Sequence, residues 1–157
     1  MNSNSVCIDA SLTLAWLFYD EYRNQADELL KQWAEDYVEL LAPPLFHAEV
    51  TSGIRKRVYF ERVLPDEGEH LFAVYSEIPV RIVDGWEIYS KAWELAKEFN
   101  LPVCYDMQYL AVAELADCEF WTLDRKLVNS LRLKDNKRVR WVGEYKRKNV
   151  KNKSPKS

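Results

Sequence analysis

The chain has 157 residues and holds three cysteines, two histidines and four glycines. Each shortage narrows what it can be. Cys7, Cys104 and Cys118 are odd in number, far apart in sequence and set in apolar, strand-like stretches. That argues against a disulfide framework and for three reduced, buried thiols in a cytoplasmic setting. His47 and His70 have no partner at metal-ligand spacing, so neither a zinc site nor a histidine-based triad is supported. Gly53, Gly68, Gly85 and Gly143 are too scattered for a Walker loop or a G-x-G-x-x-G turn, which removes glycine-loop nucleotide binding. No apolar run approaches the ~20 residues of a membrane span. The opening Met-Asn-Ser-Asn-Ser has no positive charge, and Asp9 follows soon after, so no secretory signal is expected.

What is present is a globular composition: 48% of residues are hydrophobic and 30% charged. A chain of this length buries enough surface to fold without a staple. The net charge of −3 conceals a polarity. Residues 132–157 carry eleven Lys and Arg against Asp135 and Glu144, whereas the remainder carries eleven against 23 acids. We expect a folded domain over 1–145 and a basic, flexible tail over 146–157. The tail reads either as a solvated terminus or as an arm that attracts nucleic-acid phosphate.

Val6-Cys7-Ile8 reads as a buried strand ending at Asp9, with Ser11 placed to cap an apolar helix through Phe18. Ala26, Leu29, Leu30, Trp33, Ala34 and Tyr37 form an i, i+3, i+4, i+7 stripe, which predicts a helix over 22–36. Further strands are expected over 38–42, 80–83, 119–123 and 139–142. Helices are expected over 44–58, 65–76, 86–99, 106–117 and 124–131. Strands alternate with helices and no hairpin dipeptide joins two strands. The fold class is therefore α/β, one domain built on a mainly parallel central sheet of about five strands.

Sites in such sheets form outside the carboxyl ends of the strands. Asp9 ends the first strand, Asp106 ends the Val103-Cys104-Tyr105 run, and Asp124 ends the Phe120 to Leu123 strand. Glu49 lies inside a helix beside the small residues Ser52 and Gly53, where another element can approach. Each acid has a plainer reading. Asp106 and Asp124 are placed to be helix N-caps, Asp9 to begin a turn, and Glu49 to pair with Lys56 or Arg57. Gathered in one pocket, they would repel one another unless a cation intervened. Hard oxygen ligands select Mg²⁺ or Mn²⁺, and the chemistry natural to such a site is phosphodiester hydrolysis.

Four blocks of sequence resemble a known family. Val6-Cys7-Ile8-Asp9-Ala10-Ser11 is similar to the opening of PIN domains, in particular of VapC-like toxin ribonucleases. Pro43-Pro44-Leu45-Phe46-His47-Ala48-Glu49-Val50 resembles their second block. Tyr105-Asp106-Met107-Gln108-Tyr109-Leu110-Ala111-Val112-Ala113 resembles the third, and Thr122-Leu123-Asp124-Arg125-Lys126-Leu127 the fourth. The blocks fall in the family's order across about Ser5 to Gly143.

The resemblance implies a PIN-like three-layer sandwich, a metal-dependent endoribonuclease, a homodimer, and a cognate antitoxin in the active-site groove. By block match, Asp9, Glu49, Asp106 and Asp124 are the metal-binding and catalytic quartet, with Ser11, Ser52 and Thr122 as supporting polar groups. The family often has Asn where this chain has Ser52, which leaves open what holds Glu49.

Arg55, Lys56, Arg57, Arg125 and Lys126 are candidates for RNA backbone contact, with a solvated helix face as the alternative. The tryptophans and tyrosines fall mostly on apolar stripes and read as core or dimer face rather than stacking platforms. Two other functions remain open. One is a non-catalytic PIN-fold RNA-binding or scaffold protein. The other is a phosphatase with Asp9 as covalent nucleophile, disfavoured because Ser11 stands where such enzymes commonly place a second Asp.

Overall fold

The computed structural model describes residue 1 and residues 4–147. Almost the whole of the expected basic tail lies outside the described residues. Five short strands form one sheet: β1 (Ser5–Ile8), β2 (Glu39–Ala42), β3 (Val80–Ile82), β4 (Glu119–Thr122) and β5 (Val139–Trp141). All four pairings are parallel and the spatial order is β3-β2-β1-β4-β5. Parallel neighbours need crossovers, and helices supply them. They are α1 (Ala10–Phe18) with α2 (Arg23–Glu35), α3 (Leu45–Tyr59) with α4 (Pro65–Ser76), α5 (Trp86–Glu98) with α6 (Tyr105–Leu115), and α7 (Arg125–Arg132).

β1 is buried at every position, as a central parallel strand covered on both faces must be. Against it lies α6, which packs on β1, β2 and β4 and buries Met107, Tyr109 and Leu110 through Ala113. The chain winds outward from β1 to β3 on one side, then crosses over to β4 and β5 on the other. The winding thus reverses between β1 and β4, and at such a switch point the strand ends leave a crevice. The register Ile8↔Trp121 brings Asp9 level with Thr122 at that crevice.

The scarcity of glycine shows in the helix ends. Tyr19, Tyr37, Glu61, Asn100, Asp117 and Asp135 all adopt left-handed backbone, with φ between 51° and 60°. Glycine would be the unstrained choice at each.

Four details differ from the sequence reading. Val103-Cys104-Tyr105 is not a strand: Val103 is exposed, Cys104 caps α6 and Tyr105 begins it. Cys104 is therefore only half-buried, whereas Cys7 and Cys118 are fully buried, and all three are free thiols. Ser11 sits inside the first turn of α1, whose N-cap is Asp9. Trp86 and Trp93 of α5 leave the core, at 80% and 60% exposure. Among the described residues, no helix is long and apolar enough to cross a membrane.

Candidate active site

Asp9 follows the buried strand β1 and starts α1. Its Oδ1 accepts from the backbone N–H of Leu12 at 3.2 Å and from the Ser11 hydroxyl at 2.6 Å. Its Oδ2 accepts from the Thr122 hydroxyl at 2.5 Å. Burial nevertheless dominates and pushes its carboxyl up to about 6. The nearby charge of Glu49 adds to that rise, and the three hydrogen bonds limit it.

Thr122 is fully buried at the end of β4 and ties two acids together. Its Oγ1 donates to Asp9 and accepts from the backbone N–H of Asp124 at 3.0 Å. Ser11 makes a parallel link, since its Oγ accepts from the N–H of Leu123 at 2.9 Å while donating to Asp9. The polar support expected of Ser11 and Thr122 is thus a belt between the ends of β1 and β4. Asp124 does cap a helix, with Oδ1 accepting from Leu127 N–H at 3.0 Å. Its side chain stays exposed, so capping leaves it open to the crevice.

Glu49 arrives from α3, and its partner is neither Lys56 nor Arg57. The hydroxyl of Tyr109 donates to Glu49 Oε1 at 2.6 Å. Tyr109 is almost wholly buried on α6, stacked on Phe120 of β4 with ring centroids 5.8 Å apart and planes 4° from parallel. Burial first, then the Glu49 hydrogen bond, raises its phenol far above the ordinary range, so it remains a fixed donor. The place left open by Ser52 is filled from another helix. Sequence reasoning assigned Tyr109 no role. The available signal was its position three residues after Asp106, which puts the two on one face of α6.

Asp106 is the second residue of α6 and not an N-cap, a role taken by Cys104. Much of its side chain meets solvent. Its carboxyl is nonetheless raised above the usual range by loss of water, then by the charges of Asp124 and Glu49. Asp9 and Asp106 therefore each feel Glu49, and Asp106 also feels Asp124. The acids share one electrostatic neighbourhood but do not form a ready ligand sphere. Among the described residues, no three His, Cys, Asp or Glu side chains are placed to hold a metal ion together. The donor set suits a hard dication by its chemistry: it is all oxygen, anionic, and self-repelling without a cation.

The basic candidates are dispersed. Arg55 is exposed, its guanidinium 5.6 Å from the Tyr59 ring. Arg125 lies 4.7 Å over the Trp141 ring, and Lys126 is exposed on the same helix. Arg57 is bound to Asp20 by two hydrogen bonds, of 2.9 and 2.6 Å. Lys56 lines a cleft with Glu49 and Ser52.

A parallel α/β domain with carboxylates just beyond the ends of β1 and β4 and from α3 and α6, around its switch point, defines a class: acidic-centred domains suited to chemistry on phosphate esters. The PIN domain family model matches residues 6–130. The chain belongs to the PIN domain family. It is similar to the ribonuclease VapC9 of Mycobacterium tuberculosis and to a VapC ribonuclease of Mycobacterium bovis. Each is 28% identical over 122 residues, covering 78% of this chain and 87% of the relative. The fold is shared with PAE2754 from Pyrobaculum aerophilum, at TM-score 0.63 and 20% identity, over 90% of this chain and 91% of that one. It is shared also with a chain of VapBC2 from Rickettsia felis, solved bound to a DNA fragment from their promoter. There the TM-score is 0.65 and the identity 11%, over 87% of this chain and 98% of that one.

Proposed function

We propose that this protein is a Mg²⁺- or Mn²⁺-dependent endoribonuclease of the VapC-like toxin type, hydrolysing phosphodiester bonds of RNA. The observation that carries this reading is the Thr122 and Ser11 belt, which fixes Asp9 and the backbone of Asp124 at one rim, with Glu49 and Asp106 in electrostatic reach. The likeness to VapC ribonucleases supports it.

Asp9, Glu49, Asp106 and Asp124 would hold the ion. When bound, it lowers the pKa of an attacking water and offsets charge on the leaving oxygen. The chain's own work is positional. Ser11, Thr122 and the Leu12 N–H hold the Asp9 carboxylate in one orientation, and Tyr109 holds Glu49. Such outer contacts set ligand geometry and are felt in activity when removed. The Asp9 carboxyl, raised to about 6, must be ionised to serve, and a bound dication would favour that form. No histidine or covalent nucleophile is required. A homodimer and a cognate antitoxin that blocks the groove belong to the same reading.

Incubation with mixed single-stranded RNAs tests it. The wild type should cleave in Mg²⁺ and stop in excess EDTA. Asp106→Asn should lose cleavage while keeping its circular dichroism spectrum. Full activity of that variant, or of the wild type in EDTA, overturns the proposal.

A further inference from the structure

We propose that the cleft between α1 and α3 is a nucleotide subsite. Lys56 and Arg62 hold a backbone phosphate of single-stranded RNA there, and Phe60 presents its face to a base. This deepens the nuclease reading and rests on it. The cleft encloses about 680 Å3, and its lining includes Ser11 and Glu49 of the acidic centre together with Lys56, Phe60 and Arg62. Glu49, Ser52 and Lys56 recur at i, i+3 and i+7, so one stripe of α3 leads from the acids to the cations. Lys56 stands about 10 Å along the axis from Glu49, at 1.5 Å of rise per residue. A Cβ on Gly53 would come within 2.5 Å of Leu14 Cδ1. Glycine there lets α1 and α3 approach closely at the cleft, which Leu14 and Gly53 both line.

Two of the three cations of the cleft are uncommitted. Arg57 is engaged by Asp20 and lies over the Phe18 ring at 4.1 Å, where it joins α1 to α3. Among the described residues, neither the Lys56 nor the Arg62 side chain has a hydrogen bond, ion pair or ring contact. Arg62 reaches the cleft because α3 ends in a Schellman turn. Glu61 is left-handed, its N–H donates to Val58 C=O at 3.0 Å, and Arg62 N–H donates to Arg57 C=O at 2.8 Å. Phe60, at the turn, is 64% exposed, and its one ring contact among the described residues is edge-to-face with the neighbouring Tyr59, centroids 5.1 Å apart. Two free cations and a largely exposed aromatic ring, in one cleft with carboxylates proposed to act on a phosphodiester, match an adjoining nucleotide better than an isolated anion.

Basic residues at a helix C-terminus can instead serve the helix dipole, and that role would appear in the melting temperature. The test compares the wild type with Lys56→Gln/Arg62→Gln on a single-stranded RNA oligonucleotide. The double variant should raise KM about tenfold or more, as removal of charge-assisted hydrogen bonds does. It should leave kcat within about twofold, as loss of uniform binding does. The slope of log affinity against log salt should fall by roughly 0.7 for each phosphate that is no longer neutralised. The melting temperature should not move. Phe60→Ala should weaken binding by about tenfold and Phe60→Tyr restore it. Unchanged KM and salt slope, in a preparation whose wild type cleaves, overturn the subsite and leave the nuclease reading standing. If the wild type cleaves nothing, the nuclease reading falls, and RNA affinity measured by anisotropy in Ca²⁺ still decides the cleft. Single variants and Arg62→Lys replace the double variant should it unfold.

Discussion

Asp9→Asn should make the metal-free protein more stable at pH 8 and less stable at pH 3.5. Burial raises the Asp9 carboxyl from 3.8 to about 6. Between those values the folded chain binds the proton more tightly than the unfolded chain. The stabilisation from the protonated carboxyl is complete below pH 3.8 and is lost as pH rises through 6. At roughly 1.4 kcal/mol for each tenfold change in proton affinity, ionising Asp9 costs the fold about 3 kcal/mol. Asparagine removes that term. Its Oδ1 can keep the bonds from Ser11 and Leu12, while its amide meets the Thr122 oxygen and obliges that hydroxyl to turn, at about 1 kcal/mol. The net expectation is a gain of about 2 kcal/mol at pH 8, or roughly 4–8 °C in melting temperature, and a loss of about 1 kcal/mol at pH 3.5. Urea denaturation in EDTA across that pH range measures it. Saturating Mg²⁺ should reverse the order at pH 8, because only the wild type gains from the ligand. A stability difference that stays constant with pH in EDTA, or an Asn variant weaker than wild type at pH 8, would refute the burial argument.

Thr122→Val keeps the shape but strands the Asp9 Oδ2 and the Asp124 N–H. It should cost about 2–4 kcal/mol by urea denaturation, with Thr122→Ser close to wild type. Tyr109→Phe removes one hydroxyl from a carboxylate that water can reach, so stability should fall by only about 1 kcal/mol. Cleavage should fall by about tenfold to a hundredfold, because Glu49 loses its only anchor among the described residues. Glu61→Gly should stabilise the protein by about 0.5–1 kcal/mol, since glycine accepts the left-handed backbone that closes α3. A melting curve at or below wild type would contradict that.

The sheet was legible because its strands are short apolar runs between strong helical stripes, and alternation alone fixes parallel pairing. Asp9 and Asp124 were legible for the same reason, as the first charges after Ile8 and Leu123. Asp106 was reached by a faulty route. Its block names a residue that lies within reach of the charges of Asp124 and Glu49, but Val103-Cys104-Tyr105 is too exposed to be a strand, and Pro102 just before it favours a loop. Tyr109 was hidden because an aromatic on an apolar helix face reads as core; only the three-dimensional path of α3 shows that its hydroxyl emerges at Glu49. Arg62 was hidden further, since its place depends on a Schellman turn closed by glutamate where a sequence reader looks for glycine. The four acids interact as expected, yet their side chains are not gathered as ligands, and an ion would have to draw them in.

A calorimetric titration with Mn²⁺ near neutral pH, on the wild type and Asp106→Asn, tests the central claim. Saturable binding by the wild type is expected, with heat that varies with the buffer most strongly near pH 6 because the Asp9 carboxyl, raised to about 6, releases its proton, and with that binding lost in the variant. No saturable heat from the wild type, or equal binding by both proteins, would contradict a divalent-ion centre built from Asp9, Glu49, Asp106 and Asp124.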